Sequence, residues 1–204
     1  MCSMAYRKTK AIELRKDARR RTILEAATRL FSRCGYHAAT VPMIVDEAHS
    51  SVGSFYKYFR NKEDVLATIL ETLGERIVAA IREARESRSE PMQQMQSALE
   101  AGLLYLARNP QEARILFVES SGLSHRLEDV RRATLWRQAD ECCKTLLANP
   151  QKFSAVNPAI AARCLVGSVV EALCGWLEES PNDRVSPAEL ARAVVDFNSR
   201  ALSR

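Results

Sequence analysis

The stretch TVPMIVDEAHSSVGSFYKYF, residues 40–59, decides the fold of this 204-residue chain. Apolar residues at helical spacing give its first half an inner face, and Thr40 and Pro42 suit the first turn of a helix. After a break of two or three residues, Ser51 is a candidate cap for a second short helix that is expected to reach about Lys57 and that Phe55 anchors. This layout predicts a helix-turn-helix motif.

The second helix of the motif is expected to present polar and aromatic side chains on its outward side. Hydroxyls, phenols, an ammonium group and a bare glycine backbone suit contact with phosphates and base edges in a DNA groove. The residues concerned are Ser51, Gly53, Ser54, Tyr56, Lys57 and Tyr58. An alternative interpretation of Tyr56 and Tyr58 is that both are half-buried aromatic side chains.

Charge is unevenly distributed along the chain. Residues 1–62 carry 13 Lys and Arg against 5 Asp and Glu, a balance of +8, whereas residues 63–204 have a balance of −3 and the whole chain +5. A basic module on a mildly acidic body indicates a polyanion as the partner of the N-terminal third. A solvated basic helix face would give the same charge. The basic run before residue 19 either extends the first helix or forms a flexible arm.

Helix caps and apolar stripes divide the rest of the chain, and strand patterns are almost absent. Gly35 ends a helix before the motif, and Asn61 begins a long helix after it. Prolines open several later helices, with Asn109 and Ser186 as candidate caps of two of them. The sequence therefore predicts an all-α protein of about nine helices. Residues 1–62 are expected to form a basic arm and a three-helix domain, and residues 63–204 a helical bundle.

Many short pieces around the motif match a known pattern. They are Ile23-Leu24-Glu25-Ala26-Ala27, Leu30-Phe31, Gly35-Tyr36, Thr40-Val41, Ile44, Ala48, Ser51-Val52-Gly53, Phe55-Tyr56, Tyr58-Phe59, Lys62-Glu63 and Leu66. With these pieces, residues 19–66 resemble the DNA-binding domain of the TetR family of bacterial transcriptional repressors. The later part of the chain resembles that family in helix number and in its final helix pair.

The resemblance implies a role for each matching residue of the motif. Thr40, Tyr56 and Lys62 are expected to contact phosphates. The recognition helix is expected to read base edges or the adjacent backbone and to approach DNA closely. It does so through Ser51, Ser54 and Lys57, with Gly53 allowing the close approach.

Two positions depart from the family pattern. His49 stands where a turn glycine is usual, and Val45 stands where a small alanine packs against the recognition helix. Histidine tolerates a left-handed backbone better than most other residues, so the turn is expected to form at some energetic cost.

The helix expected over residues 158–178 is apolar on nearly all of its faces. Such a helix is expected to be buried against other parts of the protein on every side. Self-association supplies that cover, and the resemblance implies a four-helix dimer interface made with the last helix. A twofold pair of recognition helices also suits a palindromic DNA site. A central core helix in a monomer is the alternative. The interface candidates are Val166, Val170, Leu173, Leu177, Leu190, Val194 and Phe197.

The middle helices are expected to enclose a pocket for a small hydrophobic or amphipathic effector. Ordinary core packing is the alternative for each candidate lining residue. These candidates are Leu99, Leu103, Phe117, Leu135, Trp136 and Ala139.

Several other classes of protein are not expected. Arg163 and Glu171 interrupt the most apolar stretch, and the N-terminus is too charged for a signal peptide, so we expect a cytoplasmic protein without a membrane partner. The six cysteines form no CxxC pair, and we expect free thiols. The spacing of His and Cys suits no metal, and no cofactor is expected.

Taken together, these patterns predict a homodimeric DNA-binding repressor on a palindromic operator, released by its effector. An activator or co-repressor-dependent regulator of the same fold is the first alternative. An all-helical enzyme using Cys142 or His125 and an interaction scaffold are the others, but no catalytic spacing appears and we expect no enzyme.

Overall fold

The computed structural model describes residues 2–154 and 157–203, with side chains from residue 14 onward. Helices account for most of these residues, and no strand occurs among them. The all-α prediction of about nine helices is confirmed. The α-helices are α1 (Cys2–Ala38), α2 (Val41–Glu47), α3 (Val52–Phe55), α4 (Lys62–Glu86), α5 (Pro91–Arg108), α6 (Pro110–Arg114), α7 (His125–Ala148), α8 (Pro158–Glu178) and α9 (Pro187–Leu202). A π-helical turn, Ile115–Glu119, follows α6, and a 3-10 turn, Pro150–Lys152, follows α7.

Polar side chains cap the helix starts at several predicted positions. The Ser124 hydroxyl accepts a hydrogen bond from the Leu127 amide, and Ser186 and Glu189 form a reciprocal capping box at α9. Such caps satisfy backbone N–H groups that have no partner within the helix. Asn109 differs from expectation, because its side chain bonds the Tyr105 carbonyl of α5 and makes no cap bond to α6.

The first helix is longer than the three-helix domain requires. It begins at Cys2, so the basic run extends α1 rather than forming a flexible arm. Residues 14–22 are exposed, and the buried core begins at Ile23. The basic side chains before residue 14 lie outside the described side chains.

Gly35 interrupts the end of α1 with φ 81° and ψ 160°. A residue with a side chain rarely adopts this backbone conformation, and glycine adopts it without a steric cost. The predicted stop at Gly35 is therefore confirmed as a sharp change of direction.

The chain divides into two compact units, Met1–Ile69 and Leu70–Arg204, and the division falls within α4. In the first unit α1 packs on α2, and α2 packs on α3. Its core consists largely of side chains from these helices and from the first residues of α4. They include Ile23, Ala27, Leu30, Phe31, Ile44, Val45, Phe55, Val65 and Leu66.

In the second unit α7 packs against α8, and α5 packs against α9. Leu103 of α5, Leu127 of α7 and Leu173 of α8 are fully buried. Gly102 lets α5 approach α4 closely, since a Cβ atom at this position would lie 3.1 Å from the Ile81 side chain.

Among the described residues, α8 is the helix long and apolar enough to cross a membrane, despite Arg163 and Glu171. Its most apolar window has a mean hydropathy of 1.6. The core helix of a soluble protein has the same length and composition, so one such helix is weak evidence for a membrane span.

Candidate functional site

The turn between α2 and α3 contains a strained residue. His49 has φ 47°, in the left-handed region that glycine adopts most easily. The His49 amide donates to Asp46 O at 3.0 Å, and the Ser50 amide donates to Val45 O at 2.8 Å. These bonds close the turn, so the expected left-handed conformation of His49 is confirmed. Val45 is accommodated as a buried residue of α2.

Hydroxyl groups begin both helices of the motif. Thr40 Oγ1 accepts the Met43 amide at 3.4 Å, and Ser51 Oγ accepts the Ser54 amide at 3.1 Å. Both residues are exposed, so each hydroxyl is on the solvent-accessible surface as well as capping its helix. A Cβ atom at Gly53 would meet nothing within 4 Å, which leaves that side of the helix open.

Phe55 anchors the second helix of the motif. Its ring is fully buried, lies 5.7 Å from the Phe59 ring and meets the Tyr56 ring edge-on at 5.3 Å. The Tyr56 side chain is 57% exposed, and Lys57 is also exposed. Tyr58 is half-buried, as in the alternative interpretation of that residue.

Two details of the second helix differ from the sequence-based expectation. The helix ends at Phe55 instead of continuing to Lys57, and Tyr56 follows as its C-cap. The Ser54 side chain is buried, so its predicted outward position is wrong. Ser54 and Phe55 are 7% and 0% exposed, so the buried face of this helix includes both residues.

Lys62 is held by the protein itself. Its ammonium donates to the carbonyl oxygens of Tyr36 at 2.6 Å, Ala39 at 2.9 Å and His37 at 3.2 Å, and it lies 4.3 Å from the centre of the Tyr36 ring. Burial lowers the pKa of this ammonium group. A phosphate contact by Lys62 does not fit this arrangement, because the three donors already point at the end of α1. Lys62 therefore joins α4 to the end of α1.

Glu47 joins α2 to α1 by two ion pairs. One carboxylate oxygen accepts from Arg29 Nε at 2.9 Å, and the other lies 3.5 Å from an Arg33 nitrogen. The hydrogen bond from Arg29 is the main cause of the lowered pKa of Glu47. These pairs orient the helix-turn-helix against α1.

A basic groove adjoins the motif. Arg15, Lys16, Arg19, Thr22 of α1 and Tyr58 line it. The guanidinium group of the neighbouring Arg20 lies 5.4 Å from the Phe59 ring. Sequence reasoning counted these charges, but their position beside Tyr58 depends on the packing of α1.

The residues predicted to line an effector pocket do not all face the same space. Leu99, Leu103, Phe117 and Ala139 are buried, whereas Trp136 is 51% exposed, so its predicted inward position is wrong. The Trp136 ring instead lies 6.0 Å from the Arg132 guanidinium and 5.7 Å from that of Arg163. Leu135 is partly exposed.

A polar row on α7 explains the position of Trp136. The helix turns Thr134, Gln138, Glu141 and Thr145 inward, and all four are buried. Trp136 is two residues from both Thr134 and Gln138, and in a helix this separation points to another face. The spacing of the four polar residues is the signal that sequence reasoning missed.

The predicted dimer residues divide into two groups. Leu173 and Val194 are buried within the protomer, so their predicted place in a contact with a second copy is wrong. Phe197 is 66% exposed, and Val166, Val170, Leu177 and Leu190 are partly exposed. The fully solvent-facing row of α8 consists of Ile160, Cys164, Gly167, Glu171 and Gly175.

The adjacent cysteines have different environments. Cys142 is buried and Cys143 is partly exposed, as expected for neighbouring helix positions. Burial raises the pKa of the Cys142 thiol to about 12. The thiol is therefore protonated at neutral pH and is a poor nucleophile.

The fold and the motif define the class of the protein: an all-helical chain with an N-terminal helix-turn-helix. Residues 23–69 match the family described as "Bacterial regulatory proteins, tetR family". The HTH-type transcriptional activator FasR of Mycolicibacterium smegmatis is 26% identical over 181 residues, which are 86% of this chain and 80% of FasR.

Two further similarities extend the comparison. The HTH-type transcriptional repressor KstR2 of Mycobacterium tuberculosis is 31% identical over 80 residues, 39% of this chain and 40% of KstR2. The structure of the regulator FadR from Bacillus subtilis in complex with stearoyl-CoA superimposes with a TM-score of 0.80 at 18% identity and covers 88% of this chain and 97% of FadR. Residues 23–69 of this chain thus match the TetR-family DNA-binding domain, and the relatives named here are transcriptional regulators.

Proposed function

We propose that this regulator is a repressor that binds a palindromic operator as a homodimer and releases it when a small amphipathic effector binds. The observation that carries the proposal is the exposed group formed by Ser51, Gly53, Tyr56 and Lys57 at the tip of the motif. A hydroxyl, an open backbone, a phenol and an ammonium group suit the edges and phosphates of a major groove.

The DNA contacts are assigned to the exposed members of the predicted set. Thr40 and Tyr56 lie where they can bond phosphates, Ser51 and Lys57 face the groove, and Gly53 permits close approach. Tyr58 contacts the backbone beside the basic groove of α1. This assignment leaves out Ser54, which is buried, and Lys62, which donates hydrogen bonds within the protein.

The dimer is proposed to form through α8 and α9. Phe197 is a large apolar side chain left 66% exposed on α9, and Ile160 is similarly exposed on α8. Gly167 and Gly175 lie on the open row of α8, and no atom lies within 4 Å of a Cβ at either position, so two helices can approach closely. A twofold pair would present two recognition helices to one palindrome.

Release of the operator requires that effector binding in the second unit affects the DNA-binding unit. Helix α4 supplies covalent continuity, since its first residues belong to the first unit and the rest to the second. An effector that binds the non-operator conformation more tightly weakens DNA binding by the same coupling free energy, about 1–3 kcal/mol in typical cases. Because the operator lies on the bacterial chromosome, we infer a cytoplasmic location.

An activator is the second candidate, and it is favoured by the similarity to FasR, which is an activator. Both candidates require DNA binding and differ in the effect on transcription. A reporter placed behind the selected operator separates them, because expression rises on deletion of the regulator if it represses and falls if it activates.

The central test is a selection of binding sites from random DNA duplexes with the full chain. We expect a palindrome whose half-sites lie about one helical turn apart or a multiple of it. Tyr56→Phe combined with Lys57→Ala is expected to abolish the preference, while Gln151→Ala, on an exposed turn of the second unit, is the matched control. A wild-type chain that selects no sequence contradicts the proposal.

A further inference from the structure

The solvent-facing row of α8 is centred on a glycine. The row runs from Ile160 to Gly175, and Gly167 lies next to its midpoint. A Cβ atom at Gly167 would meet nothing within 4 Å, so a neighbouring backbone can approach the helix there. The other faces of α8 pack on α5, α7 and α9. The row is therefore the part of α8 that the described residues leave uncovered.

The last helix presents a large apolar side chain at the same level. Asn198 Nδ2 donates to Ser168 Oγ at 2.8 Å, and this bond joins α9 to α8 one residue from Gly167. Asn198 is 3% exposed, whereas Phe197, its neighbour in the chain, is 66% exposed. An exposed aromatic ring thus lies at the level of the centre of the row, and aromatic side chains are enriched at protein interfaces.

Two opposite charges lie at equal distances on either side of this centre. Arg163 precedes Gly167 by four residues and Glu171 follows it by four, so each is about 6 Å from the centre along the helix axis. Both are exposed, and neither forms an ion pair within the described part of the chain. The Arg163 guanidinium lies 5.7 Å from the centre of the Trp136 ring, which holds the cation at the surface between α7 and α8.

A twofold axis beside Gly167 would bring these opposite charges together. In a twofold contact, residue i of one copy meets residue j of the other, and j meets i. For two antiparallel copies of α8 centred at Gly167, Arg163 of each copy therefore faces Glu171 of the other. In the same register, Ile160 faces the position next to Gly175, so a large side chain meets an open part of the helix. A parallel pair would instead bring like charges together, which is unfavourable.

We propose that the open row of α8 binds a second copy of this chain in antiparallel orientation, with the twofold axis beside Gly167 and two ion pairs between Arg163 and Glu171 of different copies. The inference rests on the proposed function, because it specifies how the proposed homodimer is assembled. Opposite charges that face each other in one register and like charges that meet in others select that register and that partner.

Reversal of one charge at a time tests the register. Arg163→Glu places carboxylates opposite each other twice per dimer, and Glu171→Arg does the same with guanidinium groups. Each variant of the full chain is expected to raise the dimer dissociation constant at least about 10-fold in analytical ultracentrifugation. The double variant Arg163→Glu with Glu171→Arg restores both ion pairs and should dimerise nearly as tightly as the wild type. Circular dichroism checks that each variant folds.

A mixture of the two single variants gives the sharper result. In a mixed dimer, each substituted residue faces a residue of opposite charge, so the two chains are expected to pair with each other in preference to themselves. Native mass spectrometry distinguishes the variants by mass and measures the fraction of mixed dimer. Arg108→Glu and Glu100→Arg, at exposed positions of α5, make the same changes in net charge and serve as controls. Neither should weaken dimerisation or favour a mixed dimer.

The outcomes separate this inference from the proposed function. A wild-type dimer that either single variant leaves equally tight overturns the register but leaves the proposed homodimer intact. Single variants that weaken the dimer without pairing with each other also overturn it, because their charges then do not face one another. A wild-type chain that remains monomeric at every concentration contradicts the proposed homodimer and the inference together.

Discussion

The ammonium group of Lys62, the first residue of α4, lies 2.6 Å from the carbonyl oxygen of Tyr36 and 2.9 Å from that of Ala39. The last carbonyl groups of a helix lack partners within the helix and carry its negative dipole end. A cation at this place satisfies several of them at once. Lys62, to which the family resemblance assigns a phosphate contact, thus stabilises the DNA-binding unit.

Lys62→Met is therefore expected to destabilise the protein. Loss of charge-assisted bonds to three carbonyls costs about 2–3 kcal/mol, which urea denaturation measures. Lys57→Met, at an exposed lysine of the motif, is the control and should leave stability nearly unchanged. If Lys62→Met keeps full stability and instead lowers the salt dependence of operator binding, Lys62 contacts phosphate after all.

His49→Gly is expected to stabilise the first unit. The left-handed backbone of His49 costs about 1–2 kcal/mol for a residue with a side chain, and glycine removes this cost but loses about 0.5–1 kcal/mol of chain entropy. A net gain of up to about 1.5 kcal/mol follows. The measurement is the urea midpoint, with Asp46→Gly, in the exposed helical part of α2, as a control that should destabilise. A loss of stability in His49→Gly would show that the imidazole makes a compensating contact.

Arg15→Gln combined with Arg19→Gln is expected to weaken operator binding without changing the selected sequence. Both side chains border the basic groove beside Tyr58, and each phosphate contact contributes about 0.9 to the slope of log affinity against log salt. The slope should fall by up to about 2 per protomer. Arg108→Gln with Lys152→Gln, exposed in the second unit, is the control. An unchanged slope would place the groove away from DNA.

Glu141→Gln is expected to reduce stability and its dependence on pH. The pKa of Glu141 in the folded chain lies below its ordinary value of 4.5, so its stabilisation is complete above that value and is lost as pH falls through the folded pKa. At pH 7 the substitution should cost about 3 kcal/mol, because it leaves Arg85 without its buried partner.

The difference in melting temperature between Glu141→Gln and the wild type should shrink as the pH falls below about 4.5, the ordinary pKa of a glutamate. Glu100→Gln, at an exposed position on α5, supplies the control. A difference that stays constant as the pH falls would mean that folding does not lower the pKa of Glu141.

Phe197→Asp is expected to leave the chain a folded monomer if the proposed dimer forms through α8 and α9. The side chain is 66% exposed on α9, and a charge there would oppose burial against a second copy. Light scattering after size-exclusion chromatography measures the mass, and circular dichroism checks the fold. Leu147→Asp, at an equally exposed position of α7, should remain dimeric. A dimer that persists in Phe197→Asp would move the interface away from this part of α9.

Some features could be predicted because their causes are local. Thr40, Ser51, Asn61 and Ser186 each accept a hydrogen bond from the amide three residues further along, and Gly35 adopts its backbone conformation for reasons within a few residues. The exposed face of Tyr56 and Lys57 also follows from the burial of nearby Phe55. These features depend only on the spacing of residues that are close together in the chain, which can be read from the sequence.

Other features depend on which helices meet. Leu173 and Val194 face the interior because α5 and α7 already cover α8 and α9, whereas the described part of the chain leaves Phe197 66% exposed. An apolar stripe indicates that one face of a helix is buried. It does not show whether a neighbouring helix of the same chain or a second copy of the chain covers that face.

The sequence by itself determined the all-α architecture and the helix-turn-helix, because helix caps, breaks and apolar spacing act within a few residues. Only the tertiary structure decided the partner of each charge and polar group. It turned Lys62 toward the end of α1 and Glu141 toward Arg82 and Arg85 of α4. These pairs join residues far apart in the chain, and such pairings arise only when packing excludes water and makes an unpartnered polar group costly.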